Sequence, residues 1–378
     1  MTHDVAVIGA GVTGLSIAWH LLGAQDRSVV LFDGQGVGSG ASSIQPGGVR
    51  QQWGTRMSCR LAIESFRFYE AFDTRLEAKV SPGLTKCGYL FVAETEAGRQ
   101  QLADNVALQN SEGIMSRLVD GDEAADLVPG LNPEGITGAS WHDQDGYFDR
   151  PLAIIGALHA GALERGVQIV DRNVQRLERG ASAWKLTLSD GEVAFADNVV
   201  VAAAYATPEL LASVGVDTPI TKEPKYLFYS NPVAQRLLDP LAVFVDRHFA
   251  AKQLADGSML ASDLSANGDP DAMRNTWYRH IKESIRDRLP VLDLISFPVL
   301  VEGFYDVTPD KQPIVGPVTG HDGLWLAAGL NGRGLMMAPA FGRLVAEALT
   351  TGSLPEPLPE LSLDRFAVDA LTPEPQIV

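Results

Sequence analysis

The chain has 378 residues, 46% of them hydrophobic and 20% charged, with a formal net charge of −17. That balance suits a soluble globular protein of two domains, or one large α/β body with an inserted subdomain, and the negative charge argues against nucleic acid or an anionic membrane surface as partner. Cys59 and Cys87 are too few for a disulfide framework, a metal cluster or an iron–sulfur centre, no apolar run approaches the ~18 residues of a membrane span, and the N-terminus runs straight into a strand rather than a signal peptide, so a cytoplasmic protein is expected.

Val5 to Ile8 read as a buried strand, a short apolar run that breaks at glycine. Gly9, Gly11 and Gly14 follow in G-x-G-x-x-G spacing around Val12 and Thr13, and Leu15, Ala18, Trp19 and Leu22 give the next helix an apolar face. One glycine makes the tight turn, one lets the backbone approach a pyrophosphate, and one lets helix and strand pack closely, while the helix N-terminus offers N–H groups to the phosphates. A second strand, Ser28 to Phe32, ends in Asp33, 19 residues after Gly14, where a carboxylate can accept from ribose hydroxyls. Dinucleotide binding is expected, and the motif alone does not separate NAD from FAD.

After Asp33 comes a loop of about 20 residues rich in Gly and Ser, a length that usually carries function. A helix is expected from Thr55 to about Ala78, ended by Ser81-Pro82-Gly83, then a strand over Tyr89–Ala93 and a polar-faced helix over Glu96–Asn110. Asp149–Gly166 reads as a helix with Pro151 at a tolerated early position, and Val167–Val170 as a short strand. Val174–Leu177 and Trp184–Leu188 read as an antiparallel ribbon continued through the Asp190-Gly191 turn, and Asp197–Ala204 as a strand buried on both faces. Aromatic-rich strands fill about 219–300, with a helix over Ala272–Leu289. Gly323–Ala328 is a last strand, followed by the glycine loop Gly329, Gly332, Gly334, a helix to about Thr350, and an irregular proline-rich tail from Pro355. The expected architecture is α/β: a Rossmann-like nucleotide-binding domain in three pieces (1–80, 149–218, 301–378) and an inserted β-sheet substrate domain (81–148 and 219–300).

The pieces GAGVTG, GSGAS…GGVRQQW, CGYLFVA, DQDGYFDRP, DNVVVAAA, YDVTPDKQPIVG and AAGLNGRGLMMAPAFGRLVAE, spread from residue 4 to about 350, together resemble FAD-dependent amine and amino-acid oxidoreductases of the D-amino-acid oxidase superfamily. The pattern is nearest the L-proline dehydrogenase β subunit and the sarcosine and glycine oxidases. The resemblance implies a glutathione-reductase-like fold and FAD as cofactor. It places the loop Gly34, Ser39, Gly40, Ala41, Ser42, Gly47 and Gly48 along flavin and pyrophosphate, Val174 at the adenine, and Ala203 with Ala204 at the pyrophosphate, where relatives often carry glycine in place of Ala204. It adds Gly303 and the turn Gly329, Asn331, Gly332, Arg333, Gly334, Leu335, Met336. N–H groups at the start of that last helix can stabilise negative charge near N1 and O2 of a reduced flavin. Gly303 sits near the relatives' flavin-linking cysteine, and the serine loop carries no histidine, so FAD is expected to be non-covalent.

For the substrate, the resemblance makes Arg50 the carboxylate-binding fork, with Tyr305 and His248 as further residues of the cavity. Arg333 replaces a histidine common in relatives. Met336 stands where sarcosine oxidase has a second carboxylate-binding lysine, and Met259 aligns with its oxygen-activating lysine, so a dehydrogenase is expected rather than a fast oxidase. The expected reaction is oxidation of the C–N bond of an amino acid or secondary amine to an imine. The alternatives are oxidation of a 2-hydroxy acid, with His248 as base, and a non-catalytic flavin-binding assembly protein. With no second cofactor motif in the chain, electrons would leave to oxygen, a quinone, a dye-like acceptor or a partner subunit.

Overall fold

The computed structural model describes residues 2–22 and 27–376. Its first layer grows from the G-x-G-x-x-G unit. Thr2–Ile8 lies between Val29–Phe32 and Val193–Val201, parallel to both, and Gln168–Val170 extends the sheet beyond Val29–Phe32. Val193–Val201 is long enough to serve two partners on the edge away from Thr2–Ile8. Its first half pairs antiparallel with the ribbon strand Trp184–Leu188, and its second half runs parallel to Leu324–Ala328. The strand ends therefore deliver Gly9, Asp33, Ala202 and Gly329 to one edge of the sheet, the edge where open α/β sheets bind ligands.

Helix Val12–Leu21 packs on this sheet and against the last helix, Gly334–Thr351. A small residue makes the crossing possible: a Cβ on Gly342 would lie 2.4 Å from Ser16 Oγ. The last helix also contains Pro339, which lacks the N–H that the Leu335 carbonyl would otherwise accept; the Tyr69 hydroxyl donates to that carbonyl instead. Tyr69 comes from helix Arg56–Glu70, capped at Thr55 as expected, but the helix stops at Ala71 and a short second helix, Phe72–Leu76, completes the span.

The second layer is an eight-stranded sheet ordered Val299–Val307, Thr221–Tyr229, Met259–Asp263, Phe249–Gln253, Leu241–Phe244, Tyr89–Ala93, Gly138–His142, Arg117–Val119. Period-two alternation splits its residues. Leu90, Val92, Tyr226, Phe228, Phe249, Ala251, Met259 and Ala261 pack with Trp277, Ile281 and Ile285 of helix Pro270–Arg288. On the alternating positions, Lys225, Leu227, Ala250, Lys252, Leu260 and Ser262 turn the other way, toward the first layer. Val299–Val307 pairs residue for residue with Thr221–Tyr229, so this strand runs across the expected division at 300/301.

The tail is less irregular than its prolines suggest. It forms two 3-10 turns, Leu358–Leu361 and Leu363–Phe366, with Leu358 and Leu361 in the core. The buried Arg365 places a two-pronged bond on Asp310 at 2.8 and 3.1 Å.

Candidate functional site

A groove of about 660 Å³ runs between the strand ends of the first sheet and the inner face of the second. Its nucleotide end is built from backbone. Gly9 has φ +107°, and a Cβ there would lie 2.3 Å from the Ala202 carbonyl oxygen; a Cβ on Gly14 would lie 1.9 Å from the Gly9 oxygen. Neither position tolerates a side chain, so turn, helix and strand meet as the motif requires. Asp33 stitches the turn together: one carboxylate oxygen accepts from the Ala10 N–H at 2.7 Å and the other from the Gln35 N–H at 2.8 Å. Ser42 Oγ accepts from the Val12 N–H at 3.1 Å.

Gly9, Gly11, Val12, Thr13 and Asp33 line the groove, as do Ser39, Gly40, Ala41, Ser42, Gly47 and Gly48 of the serine loop. Val174, Ala203 and Ala204 line it from the first sheet, and Asn331, Gly332, Arg333, Gly334, Leu335 and Met336 from the last turn. Four expected residues act from behind. Gly14 permits close packing, Gly34 lets Asn173 approach, Gly303 faces Ile44 of the short helix Ala41–Ile44, and Gly329, at φ +63°, turns the chain against Thr308. Ala204 adopts φ +49°, a left-handed conformation that favours glycine.

The groove has unfilled polar and electrostatic features that suit a dinucleotide. The buried Thr13 hydroxyl has no hydrogen-bond partner among the described residues. Helices Val12–Leu21 and Gly334–Thr351 both begin at the groove without a capping side chain at Gly11 or Arg333, leaving two positive helix ends directed at one ligand space.

The other end is built from side chains. Arg50 is 3% exposed, donates to the carbonyls of Gln52 (3.0 Å) and Gln376 (2.9 Å), and lies 3.8 Å over the Trp53 ring. No carboxylate lies within ion-pair distance of it among the described residues, and burial pulls its pKa below the usual range. Tyr305 lines the groove beside Gly332, whose missing Cβ would come 2.4 Å from its ring, and burial raises its pKa. Arg333 is spent on structure: it donates to Ser58 Oγ, Gln312 Oε1 and the Lys311 carbonyl, with burial lowering its pKa to about 10.

Two expectations fail. His248 is not in the groove. It sits exposed, at φ +51°, on the tight turn joining Leu241–Phe244 to Phe249–Gln253, and lines a second cavity of about 430 Å³ that shares only Lys225, Leu264, Tyr305 and Asn331 with the groove. The tight turn holds it at the strand ends, where it faces the second cavity. Met259, second, points into the core behind the sheet, whereas Lys252 on the adjacent strand points into the groove. Lys252 is fully buried, donates to the Pro46 carbonyl, and burial lowers its pKa to about 7. Lys252, Trp53 and Tyr89 were missed by sequence reasoning; a lysine in the apolar strand FAAKQ was the one available signal.

The profile of the family described as FAD dependent oxidoreductase, DAO, matches residues 4–348. The chain belongs to that family. It is an FAD-dependent oxidoreductase; members of the DAO family act on amine and amino-acid C–N bonds by hydride transfer to flavin. The chain is 26% identical over 369 residues to 4-methylaminobutanoate oxidase (formaldehyde-forming) of Paenarthrobacter nicotinovorans, covering 93% of this chain but only 44% of that protein. It is 24% identical to FAD-dependent oxidoreductase domain-containing protein 1 of Xenopus laevis, over 92% of this chain and 79% of that one. Among solved structures, L-proline dehydrogenase from P. horikoshii superposes with a TM-score of 0.89 at 23% identity, covering 98% of this chain and 99% of that one, a likeness of fold. Among the described residues no helix is long and apolar enough to cross a membrane.

Proposed function

We propose that the protein oxidises a small amine that carries a carboxylate, an amino acid or an N-alkyl amino acid, to the imine, which water then hydrolyses. The carrying observation is Arg50: a buried guanidinium facing the groove with no carboxylate of its own. Each Nη nitrogen bears two hydrogens and spends one on a carbonyl, leaving hydrogens for a substrate carboxylate. Burying such a cation is costly unless a ligand completes its environment.

FAD, when bound, accepts the hydride from the carbon beside nitrogen. The protein's part is positional. The two helix N-termini hold negative charge at the nucleotide and at the far end of the groove, Arg50 fixes the carboxylate, and Tyr305 closes the space beside Gly332. No cysteine or histidine lines the groove among the described residues, which supports non-covalent FAD and leaves the hydroxy-acid reading without its base. We read the enzyme as a dehydrogenase because of Lys252. Lys252 is tied to the Pro46 carbonyl, and with its pKa lowered to about 7 by burial it loses most of its charge above neutral pH, leaving little to stabilise reduced oxygen. Electrons then pass to an acceptor other than oxygen, which a partner subunit could supply. We place the protein in the cytoplasm and extend its second domain to Val307.

The test is anaerobic bleaching of flavin absorbance by a panel of amino acids, N-methyl amino acids and hydroxy acids, repeated with Arg50→Lys. Loss of the bidentate fork is expected to lower kcat/KM for carboxylate-bearing amines by about 2–4 kcal/mol, roughly thirty- to thousandfold. Equal rates in both proteins would remove Arg50 from the reading.

A further inference from the structure

The segment 372–376 folds back between helix Glu96–Ser111 and the Arg50–Thr55 loop. Gln312 Nε2 donates to the Thr372 carbonyl at 3.2 Å, and the Glu374 N–H donates to the Asp310 carbonyl at 3.1 Å. The Glu374 carboxylate is buried and accepts from the Gly54 N–H (2.7 Å), the Gln376 N–H (3.1 Å) and Thr55 Oγ1 (2.9 Å). Pro375 rests on Gly54, where a Cβ would lie 2.3 Å from its ring. The Gln376 side chain accepts from Asn105 Nδ2 at 2.9 Å and Gln109 Nε2 at 3.2 Å, which fixes the backbone carbonyl that Arg50 uses.

Two features set this segment apart from ordinary packing. It stands at the partition of the two cavities, since Arg50 lines the groove while Pro375 and Gln376 line the second cavity. It also brings a buried negative charge to two buried positive ones. Arg50 and Arg333 both lie against the Trp53 ring, at 3.8 and 4.6 Å, and both feel the Glu374 carboxylate, yet no ion pair joins it to either among the described residues. Glu374 therefore offsets the positive field at a distance and leaves both forks free of it.

We infer that Glu374 and Gln376 are positioning residues of the substrate site: the Gln376 carbonyl aims the Arg50 fork into the groove, and the Glu374 charge moderates the affinity of that fork for an anion. The inference rests on the reading of Arg50 as the carboxylate anchor. It makes the segment part of the specificity apparatus, with a directional consequence. Loosening the Gln376 anchor weakens anion binding, whereas neutralising Glu374 strengthens it. A lesion of folding alone moves both the same way.

The experiment uses the FAD-loaded full chain and two probes of one shape, propionate and propionamide, titrated by the change in flavin absorbance. For Gln376→Ala, propionate is expected to bind about tenfold more weakly with propionamide unchanged; for Glu374→Gln, propionate is expected to bind about threefold or more tightly, again with propionamide unchanged. FAD affinity stays that of the wild type in both. Arg50→Lys separates the two levels of the argument. If it abolishes the preference for propionate while both segment variants keep wild-type affinities, the inference falls and the Arg50 reading stands. If Arg50→Lys leaves the preference intact, the reading falls and the inference with it. Parallel weakening of both probes and of FAD in both variants would reduce the segment to a structural prop and overturn the inference.

Discussion

The two ends of the groove are made of different material. The nucleotide end is mostly backbone: glycines that admit close approach, strand ends, and the start of helix Val12–Leu21, where Gly11 supplies no capping side chain. The substrate end is side chains, each placed by which face of a strand it occupies and by contacts from distant parts of the chain. Backbone sites are intolerant, because a Cβ at Gly14 has nowhere to go but into the Gly9 carbonyl. Side-chain sites are adjustable, because Lys252 or Gln376 can change while the sheet stays. The rigid end is the more vulnerable to substitution. Gly14→Val is expected to cost about 3 kcal/mol or more in the packing of strand, turn and helix, with FAD lost on gel filtration. A variant that kept full flavin and wild-type thermal stability would show that the turn can yield, contrary to the 1.9 Å contact.

The same difference explains what could be read in advance. Glycine spacing, the acid at Asp33 and the apolar strand runs are local signals, so the first layer, its helices and the glycine and serine turns that line the groove were legible, whereas Gln35, Asn173, Tyr205 and Glu209 of the same lining carry no such signal. The inner face of the second sheet was not. Lys252 and Met259 lie on neighbouring strands, Lys252 opposite Leu260 and Met259 opposite Gln253. One residue of alternation decides which side chain enters the groove and which enters the core. An alignment loose by a few residues cannot resolve that. His248 failed for a related reason, since a turn between two short strands looks like any other part of an aromatic-rich stretch. Gln376 was out of reach altogether: its role depends on a contact 326 residues away in sequence.

At the adjustable end, Lys252 ties stability and oxygen reactivity to pH. Its folded pKa is about 7, well below that of an unfolded lysine. Between about pH 7 and the unfolded value, the unfolded chain binds more protons, so this group makes stability rise with pH and withdraws it as pH falls through 7. Lys252→Met is expected to flatten that slope in denaturant titrations and to stabilise the protein by about 2–4 kcal/mol at pH 6. Reoxidation of the reduced enzyme by air should quicken from pH 8 to pH 6 as Lys252 gains its charge, and the variant should show no such rise. A pH-independent wild-type rate would mean that Lys252 does not act on oxygen.

The smallest expected effect lies where the two kinds of construction meet. Ala204 opens the 3-10 turn Ala204–Ala206 just past the central strand, which ends at Val201 rather than at Ala204 as expected; it lines the groove and holds φ +49° without being glycine. A left-handed alanine costs about 1 kcal/mol, and glycine would remove that cost while losing some of it again as entropy of the unfolded chain. Ala204→Gly is therefore expected to stabilise the protein by only about 0.5 kcal/mol, but to tighten FAD more visibly, because the Cβ that now faces the groove disappears. If the backbone is rigid here, the gain appears in FAD affinity with almost no change in the denaturation midpoint of the apoprotein. If the position instead relaxes, both move together and the alanine is a hinge rather than a strained wall. Measuring the midpoint with and without FAD separates the two, and decides whether the rigid end of the groove extends as far as Ala204.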